Sequence, residues 1–227
     1  LAVFDQDSRF VAINRTAATL LAVGGDLARL RCNDCFDVQW LNLVGYASLR
    51  LIEPFPLRTC DGERFFAALE EDRADLSRWM EWPVTKHQTV DESESYVRSM
   101  AGRWLPREGL IMGIFSKDEK TLYGGTGFHG FDWAVPSLEI GWFLRKSARG
   151  QGIATEAVSL CCKLAFEHIQ ANRVWGTIDV LNAGSWKLAE RVGFTREAHL
   201  RGECRDHHGV IRDTFVYAML AREWLTR

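Results

Sequence analysis

The run Leu138-Glu139-Ile140-Gly141-Trp142-Phe143-Leu144-Arg145, followed by Arg149-Gly150-Gln151-Gly152-Ile153-Ala154, constrains this chain more than any other stretch. Its first part reads as a strand. From Ile153 onward the pattern is helical, with Ile153, Ala157, Leu160, Cys161, Leu164 and His168 recurring on one face and no Gly or Pro between them. The loop between them carries two glycines flanking Gln151, so its backbone can approach a ligand with no Cβ in the way. Such a loop leaves the first helical N–H groups unpaired and aimed at one point, where the positive end of the helix dipole adds to them. That is a site for a phosphate. Thr155 and Glu156 in the first turn suit that positive end. An ordinary strand–turn–helix would show the same glycines, so the neighbouring segments must decide.

Downstream, Asn182-Ala183-Gly184-Ser185-Trp186-Lys187-Leu188-Ala189-Glu190-Arg191-Val192-Gly193-Phe194 places an Asn after a strand, then a short helix, then a Gly-Phe. Upstream lies Leu76-Ser77-Arg78-Trp79-Met80-Glu81-Trp82-Pro83. Taken in order, these three segments resemble the GNAT superfamily of acetyl-CoA-dependent N-acetyltransferases. The loop resembles that family's pyrophosphate pattern, Arg/Gln-x-x-Gly-x-Gly/Ala, with Gly152 and Ala154 in register. The upstream segment resembles the substrate side of the RimJ/RimL branch, the ribosomal-protein N-terminal acetyltransferases. The resemblance runs from about Ala47 to Trp224.

The resemblance implies an α/β fold with a mixed, mostly antiparallel sheet, flanking helices and splayed central strands, over residues 46–227. It implies acetyl-CoA as co-substrate. Backbone groups of Trp142, Phe143, Leu144 and Arg145 would hold the pantetheine arm, with one N–H polarising the thioester carbonyl. Arg149, Gly150, Gln151, Gly152, Ile153 and Ala154 would take the pyrophosphate. Asn182 would hydrogen-bond the arm, and it also suits the N-cap of the helix that follows.

Acetyl transfer to an amine requires deprotonation of the amine, polarisation of the carbonyl, stabilisation of the leaving thiolate and in-line positioning. Many superfamily members place a Tyr four residues before the Gly of the Gly-Phe, and this chain has Ala189 there. Ser185, one helical turn earlier on the same face, matches a serine that takes the thiolate role in the RimL-like branch. A hydroxyl near neutral pH serves there by hydrogen-bond donation; a Ser is also ordinary in a first helical turn. For the base, Glu203 and Glu139 both stand as candidates, each able to act through water. Trp79, Trp82 and Trp104 are expected to wall the acceptor groove, although core burial is the default for any single Trp. The leading expectation is acetylation of a protein N-terminal α-amine. Acetylation of a small amine or antibiotic, and a non-catalytic acetyl-CoA sensor, are the alternatives.

Gly125-Thr126-Gly127-Phe128-His129-Gly130 matches a dinucleotide fingerprint, which works only between a strand and a helix. Here Leu110 to Phe115 and Thr121 to Phe131 read as a hairpin, with a third strand from Leu138, so the glycines sit in a meander. The remaining map expects strands at Tyr46 to Leu51 and Arg173 to Val180, and two closing strands between His199 and Leu220. Helices are expected at Gly62 to Asp72, Leu76 to Trp82 (stopped by Pro83), Asp91 to Met100 and Ala183 to Val192.

With 227 residues, 47% of them apolar, the chain can bury a sizeable core. Lys plus Arg at 28 against Asp plus Glu at 30 gives no polybasic signature, so no direct nucleic-acid partner is expected. No apolar run approaches membrane-spanning length and no leader pattern opens the chain, so a cytoplasmic protein without a membrane partner is expected. The six cysteines suggest reduced thiols and no metal: Cys32-Asn33-Asp34-Cys35 is a lone CxxC, and His207-His208-Gly209 beside Cys204 reads as a hairpin tip. Residues 1–45 read as strand, turn, strand and a helix from Arg15 to Ala22. They resemble the opening of a PAS sensory domain, forming an appendage expected to contact the main domain or a second subunit of a homodimer.

Overall fold

The computed structural model describes residues 3–4, 10–12, 52–57, 60–103 and 106–226. The chain divides into two units, Leu1–Ser48 and Leu49–Arg227. In the first, β1 (Val3–Phe4) pairs antiparallel with β2 (Phe10–Ala12). The helix expected from Arg15, the Cys32–Cys35 pair and the strand expected at Tyr46 to Leu51 lie outside the described residues.

The second unit begins with β3 (Ile52–Pro56) and four helices: α1 (Gly62–Glu70), α2 (Arg73–Leu76), α3 (Trp82–Thr85) and α4 (Val90–Gly102). Strands β4 (Leu110–Ser116), β5 (Leu122–Asp132) and β6 (Ser137–Leu144) form the meander, and α5 (Ile153–Lys163) continues into a π turn at Leu164–Ile169. Strand β7 (Arg173–Asp179), helix α6 (Ala183–Val192), strands β8 (Thr195–Arg205) and β9 (Ile211–Leu220) and a last turn, α7 (Ala221–Trp224), complete it. The sheet order is β3-β4-β5-β6-β7-β9-β8, and β6–β7 is its one parallel pair.

Local chemistry explains the boundaries. Thr89 starts α4 by accepting the Glu92 N–H at 3.2 Å, and the Glu92 carboxylate accepts the Gln88 N–H at 2.6 Å. Asn182 caps α6, and Gly193 ends it at φ +98°. The helix expected across Leu76 to Trp82 is replaced by two. Helix α2 ends at Leu76, and Pro83 lies in the first turn of α3, where its missing N–H has no helical partner to lose. Phe65 and Leu69 of α1 are buried, as are Val97 and Met100 of α4, while Phe66 stays partly exposed under the Arg73 guanidinium, 5.6 Å from its ring. Burying side chains such as Phe65 or Leu69 contributes roughly 2–3 kcal/mol each. Beneath α5, Ile153 and Ala157 meet Ala148 and Ile114 of β4.

The glycines of the false dinucleotide fingerprint lie in antiparallel β5, with no helix after them. A Cβ at Gly124 would strike the Phe143 carbonyl, and one at Gly127 the Leu110 carbonyl, so close approach to the neighbouring strands excludes side chains there.

Candidate active site

Strands β6 and β7 pair only at Ser137↔Arg173, Leu138↔Val174 and Glu139↔Trp175, although β6 runs on to Leu144 and β7 to Asp179. Past Glu139 they part, and the gap floors a cleft of about 1300 Å³. The Ile140 carbonyl lies 2.9 Å from where a Cβ on Gly176 of β7 would stand, so Ile140 turns its backbone groups toward β7. The two-residue period of a strand turns those of Trp142 and Leu144 the same way, where no strand meets them. Gly141, Phe143 and Arg145 face β5 instead: the Gly141 carbonyl accepts the Thr126 hydroxyl at 3.0 Å, and the Arg145 N–H donates to the Tyr123 carbonyl at 2.8 Å. This corrects the expectation for Phe143 and Arg145. Phe143 contributes a buried ring, and Arg145 lies outside the cleft with its backbone already paired.

At the end of β6 the loop turns through Gly150 at φ +75° and Gly152 at φ +81°, conformations that favour glycine. No side chain caps α5, so its leading N–H groups are available, and a Cβ at Gly150 would meet nothing within 4 Å. Gly150, Gly152, Ile153 and Ala154 line the cleft; Gln151 turns away, its side-chain amide donating to the Ser147 carbonyl at 2.7 Å. An uncapped helix start beneath open space has the chemistry of an anion cradle.

Carboxylates from the α1–α2 joint brace this loop. Arg149, on the cleft wall, is held by Asp75 at 2.7 Å and Asp72 at 2.9 Å, and its Nε donates to the Leu144 carbonyl at 3.2 Å. Glu71 pairs with Arg145 and accepts the Ser147 N–H at 2.6 Å. Burial pushes the Glu71 carboxyl up, but these hydrogen bonds outweigh it and hold the group below its ordinary range. Arg191 of α6, a cation the sequence reading did not single out, also lines the cleft and donates to the Thr155 hydroxyl at 3.3 Å.

On the opposite wall, Asn182 Oδ1 accepts the Ser185 N–H at 3.2 Å, which leaves its amide NH2 as a donor. Ser185 is half-buried and lines the cleft. Ala189 is fully buried and absent from the lining, so Ser185 is the hydroxyl that α6 presents. Glu139 lies at the apex of the gap with His129 of β5 opposite, Nδ1 to carboxylate 3.4 Å. Glu203 is elsewhere: it is exposed on edge strand β8 and accepts the Thr214 hydroxyl at 2.9 Å. Irregular pairing between Leu200 and Cys204, with Gly202 at φ +61°, sets its direction and removes it from the cleft lining.

Trp79 and Trp82 both line the cleft, and Trp104 lies outside the described residues. Trp82 is wedged edge-on against Phe143 at 5.5 Å and His87 at 5.4 Å. Trp79 is covered by the guanidinium groups of Arg78 at 5.0 Å and Arg212 at 5.7 Å, and Arg212 is anchored to Asp179 at 3.1 Å. His87 is buried, its Nδ1 3.0 Å from the Ser93 hydroxyl; burial, then the nearby Arg73 charge, pushes it down to about 4. Among the described residues no group of three or more His, Cys, Asp or Glu side chains could hold a metal ion, and no helix is long and apolar enough to cross a membrane.

A sheet parted over an uncapped helix start, with a hydroxyl and a carboxylate facing across the gap, defines an acyl-group transferase. Residues 51–195 match the acetyltransferase (GNAT) domain family; the chain belongs to that family and is an N-acetyltransferase. It is 27% identical over 182 residues to the putative ribosomal N-acetyltransferase YdaF of Bacillus subtilis (strain 168), covering 79% of this chain and 93% of that one. Among solved structures, it is similar to the ribosomal L7/L12 alpha-N-protein acetyltransferase RimL in complex with coenzyme A. The TM-score is 0.72 at 18% identity, over 77% of this chain and 97% of that one. The microcin C7 self immunity acetyltransferase MccE, in complex with acetyl-CoA and AMP, gives a TM-score of 0.69 at 22% identity, over 76% and 93% of the two chains.

Proposed function

We propose that this enzyme moves the acetyl group of acetyl-CoA to a primary amine, a protein N-terminal α-amine before any other, by direct attack in a ternary complex. The observation that carries the reading is the three-residue pairing of β6 with β7, which leaves the backbone groups of Trp142 and Leu144 without strand partners above the glycine loop. The pantetheine arm fits that opening as a surrogate strand, and the α5 start fits the pyrophosphate. The amine nitrogen attacks the thioester carbon, a backbone N–H of the β6 edge bonds the developing oxyanion, and the C–S bond breaks as C–N forms. Ser185 donates to the departing thiolate, and Asn182 orients the arm. Glu139 is the carboxylate positioned for the amine side.

A peptide rather than a side-chain amine is supported by the similarity to YdaF and RimL and by Trp79 and Trp82 on the acceptor side. The MccE likeness supports the second reading, a small amine. Thiol release from acetyl-CoA across a panel of free-amine peptides, N-blocked lysine peptides and small amines separates the two. Turnover confined to free N-termini carries the first reading, and turnover confined to small amines replaces it. Tight acetyl-CoA binding with no turnover on any acceptor would make the chain a sensor.

A further inference from the structure

His129 has no part in the chemistry assigned so far, yet it lines the cleft in a specific setting. It stands directly across the β5–β6 ladder from Glu139, with Nδ1 3.4 Å from a carboxylate oxygen. The other ring nitrogen, Nε2, lies 3.5 Å from the point where a Cβ on Gly141 would be. The imidazole therefore reaches over a glycine, along the strand, toward Trp142, whose backbone faces the gap. Gly130, the next residue, has φ +57°, and a Cβ there would stand 3.3 Å from the Glu139 carboxylate. The ring thus lies in van der Waals reach of Gly141, and Gly130, at positive φ, keeps a Cβ from crowding the carboxylate. The ring is half exposed at the cleft and can meet an incoming nitrogen.

The other charged residues of the cleft come from α2, the loop, α5, β7 and α6. Asp75 and Arg149 bind each other, Asp179 binds Arg212, and Arg191 donates to Thr155, while Glu156 lies in the first turn of α5. Glu139 is the carboxylate that pairs with His129.

We propose that His129 and Glu139 act as a dyad in which His129 Nε2 takes the proton from the acceptor amine and Glu139 holds Nδ1–H, fixing the tautomer that leaves Nε2 free to accept. This rests on the acetyl-transfer reading and reassigns the base within it. The balance is simple. The amine nitrogen gives one proton to Nε2 as its lone pair forms the C–N bond. The C–S bond breaks, coenzyme A leaves as thiolate stabilised by Ser185, and the imidazolium proton passes through solvent to the thiolate. Glu139 becomes a positioning residue, and a direct relay from amine to carboxylate is not required.

The test uses the full chain with the best acceptor from the panel above, comparing the parent with His129→Gln, His129→Ala and Glu139→Gln. Removing a positioned general base costs roughly 10²–10⁴-fold in rate. The expected result is such a loss in kcat/KM for both His129 variants, with acetyl-CoA affinity by calorimetry unchanged. The acid limb of the kcat/KM–pH profile should be abolished or moved, and added imidazole should partly restore His129→Ala. Glu139→Gln should lose less and keep an acid limb. If the His129 variants keep the parent's rate and pH profile while Glu139→Gln loses both, the carboxylate is the base and the dyad is wrong. A fall in acetyl-CoA affinity matching the loss of rate would likewise overturn it, because the role would then be structural. A parent that turns over no acceptor sinks the acetyl-transfer reading itself, which is a different outcome from an active parent indifferent to His129.

Discussion

The two walls of the cleft are made in different ways. In the proposed reading the donor wall is mainly backbone, two glycines at positive φ, an uncapped helix and a strand edge without a partner within Leu138 to Ala154, to which Asn182 and Ser185 add side chains. The acceptor wall is assembled from side chains: Trp79 and Trp82 from the helical segment, His129 from β5 and Arg212 from β9. A site made of main chain depends on conformation and is indifferent to most side chains around it. A site made of side chains depends on identity at each position. Substitutions should therefore act on the donor wall through backbone strain and on the acceptor wall one contact at a time.

Gly152→Val tests that contrast most severely. At φ +81° a β-branched residue is strained, and any relaxation turns the first N–H groups of α5 away from their common focus. Calorimetry should show acetyl-CoA affinity reduced by at least about a hundredfold, consistent with a helix-terminus site that holds its anion by several N–H groups at once. Circular dichroism should show the sheet retained. A folded variant with parental affinity would remove the pyrophosphate cradle.

Ser185→Ala follows. It should lower kcat by on the order of a hundredfold, the usual cost of one transition-state donor, with acetyl-CoA affinity nearly unchanged. Equal turnover would assign the thiolate to solvent.

The glycine loop and the helix after it can be read from sequence because they follow from local rules: φ above zero, helical periodicity, an Asn cap at 182 and a Gly cap at 193. The parting of β6 from β7 cannot be so read, since it depends on how far a parallel pair persists between strands distant in the chain. Nor does the motif reveal that the backbones of Phe143 and Arg145 face β5, which is a matter of register. Glu203 looks equivalent to Glu139 until the irregular pairing beside Gly202 turns it aside. His129 lies inside a glycine pattern that resembles a nucleotide fingerprint, and its partnership with Glu139 exists only across a ladder. The helix expected over Leu76 to Trp82 differs because Pro83, which reads as a stop in sequence, sits in the first turn of a helix that starts at Trp82.

Acidification should reach the acceptor side through its core. His87 is neutral in the folded protein down to about pH 4, while in the unfolded chain it titrates near its ordinary 6.5. Between those values the unfolded state binds the extra proton, so stability is complete above about pH 6.5 and is lost progressively as pH falls toward 4. The loss is on the order of 3 kcal/mol for this shift. Thermal melts from pH 7 to 4.5 should show a falling Tm, with a shallower slope in His87→Asn, which keeps a side chain suited to the left-handed φ of +61° there. A slope unchanged by the substitution would place the acid sensitivity elsewhere.

The smallest expected effect is on a single contact. Trp79→Ala should raise the acceptor KM by roughly tenfold, in line with the loss of one aromatic anchor, and leave acetyl-CoA affinity alone. If donor affinity fell as much as acceptor affinity, the two walls would not be separable.

The carboxylates that hold Arg149 give reason to watch for that. Asp72 precedes α2 as its N-cap and Asp75 lies within it, just before the turn that leads to Trp79. An anion that draws Arg149 toward the glycine loop takes a cation from Asp72 and leaves Asp75 with Arg78 at 3.4 Å, so occupancy at one place alters the free energy of the other. Thermodynamic linkage then makes the effect reciprocal: whatever factor the donor imposes on acceptor affinity, the acceptor must return to the donor.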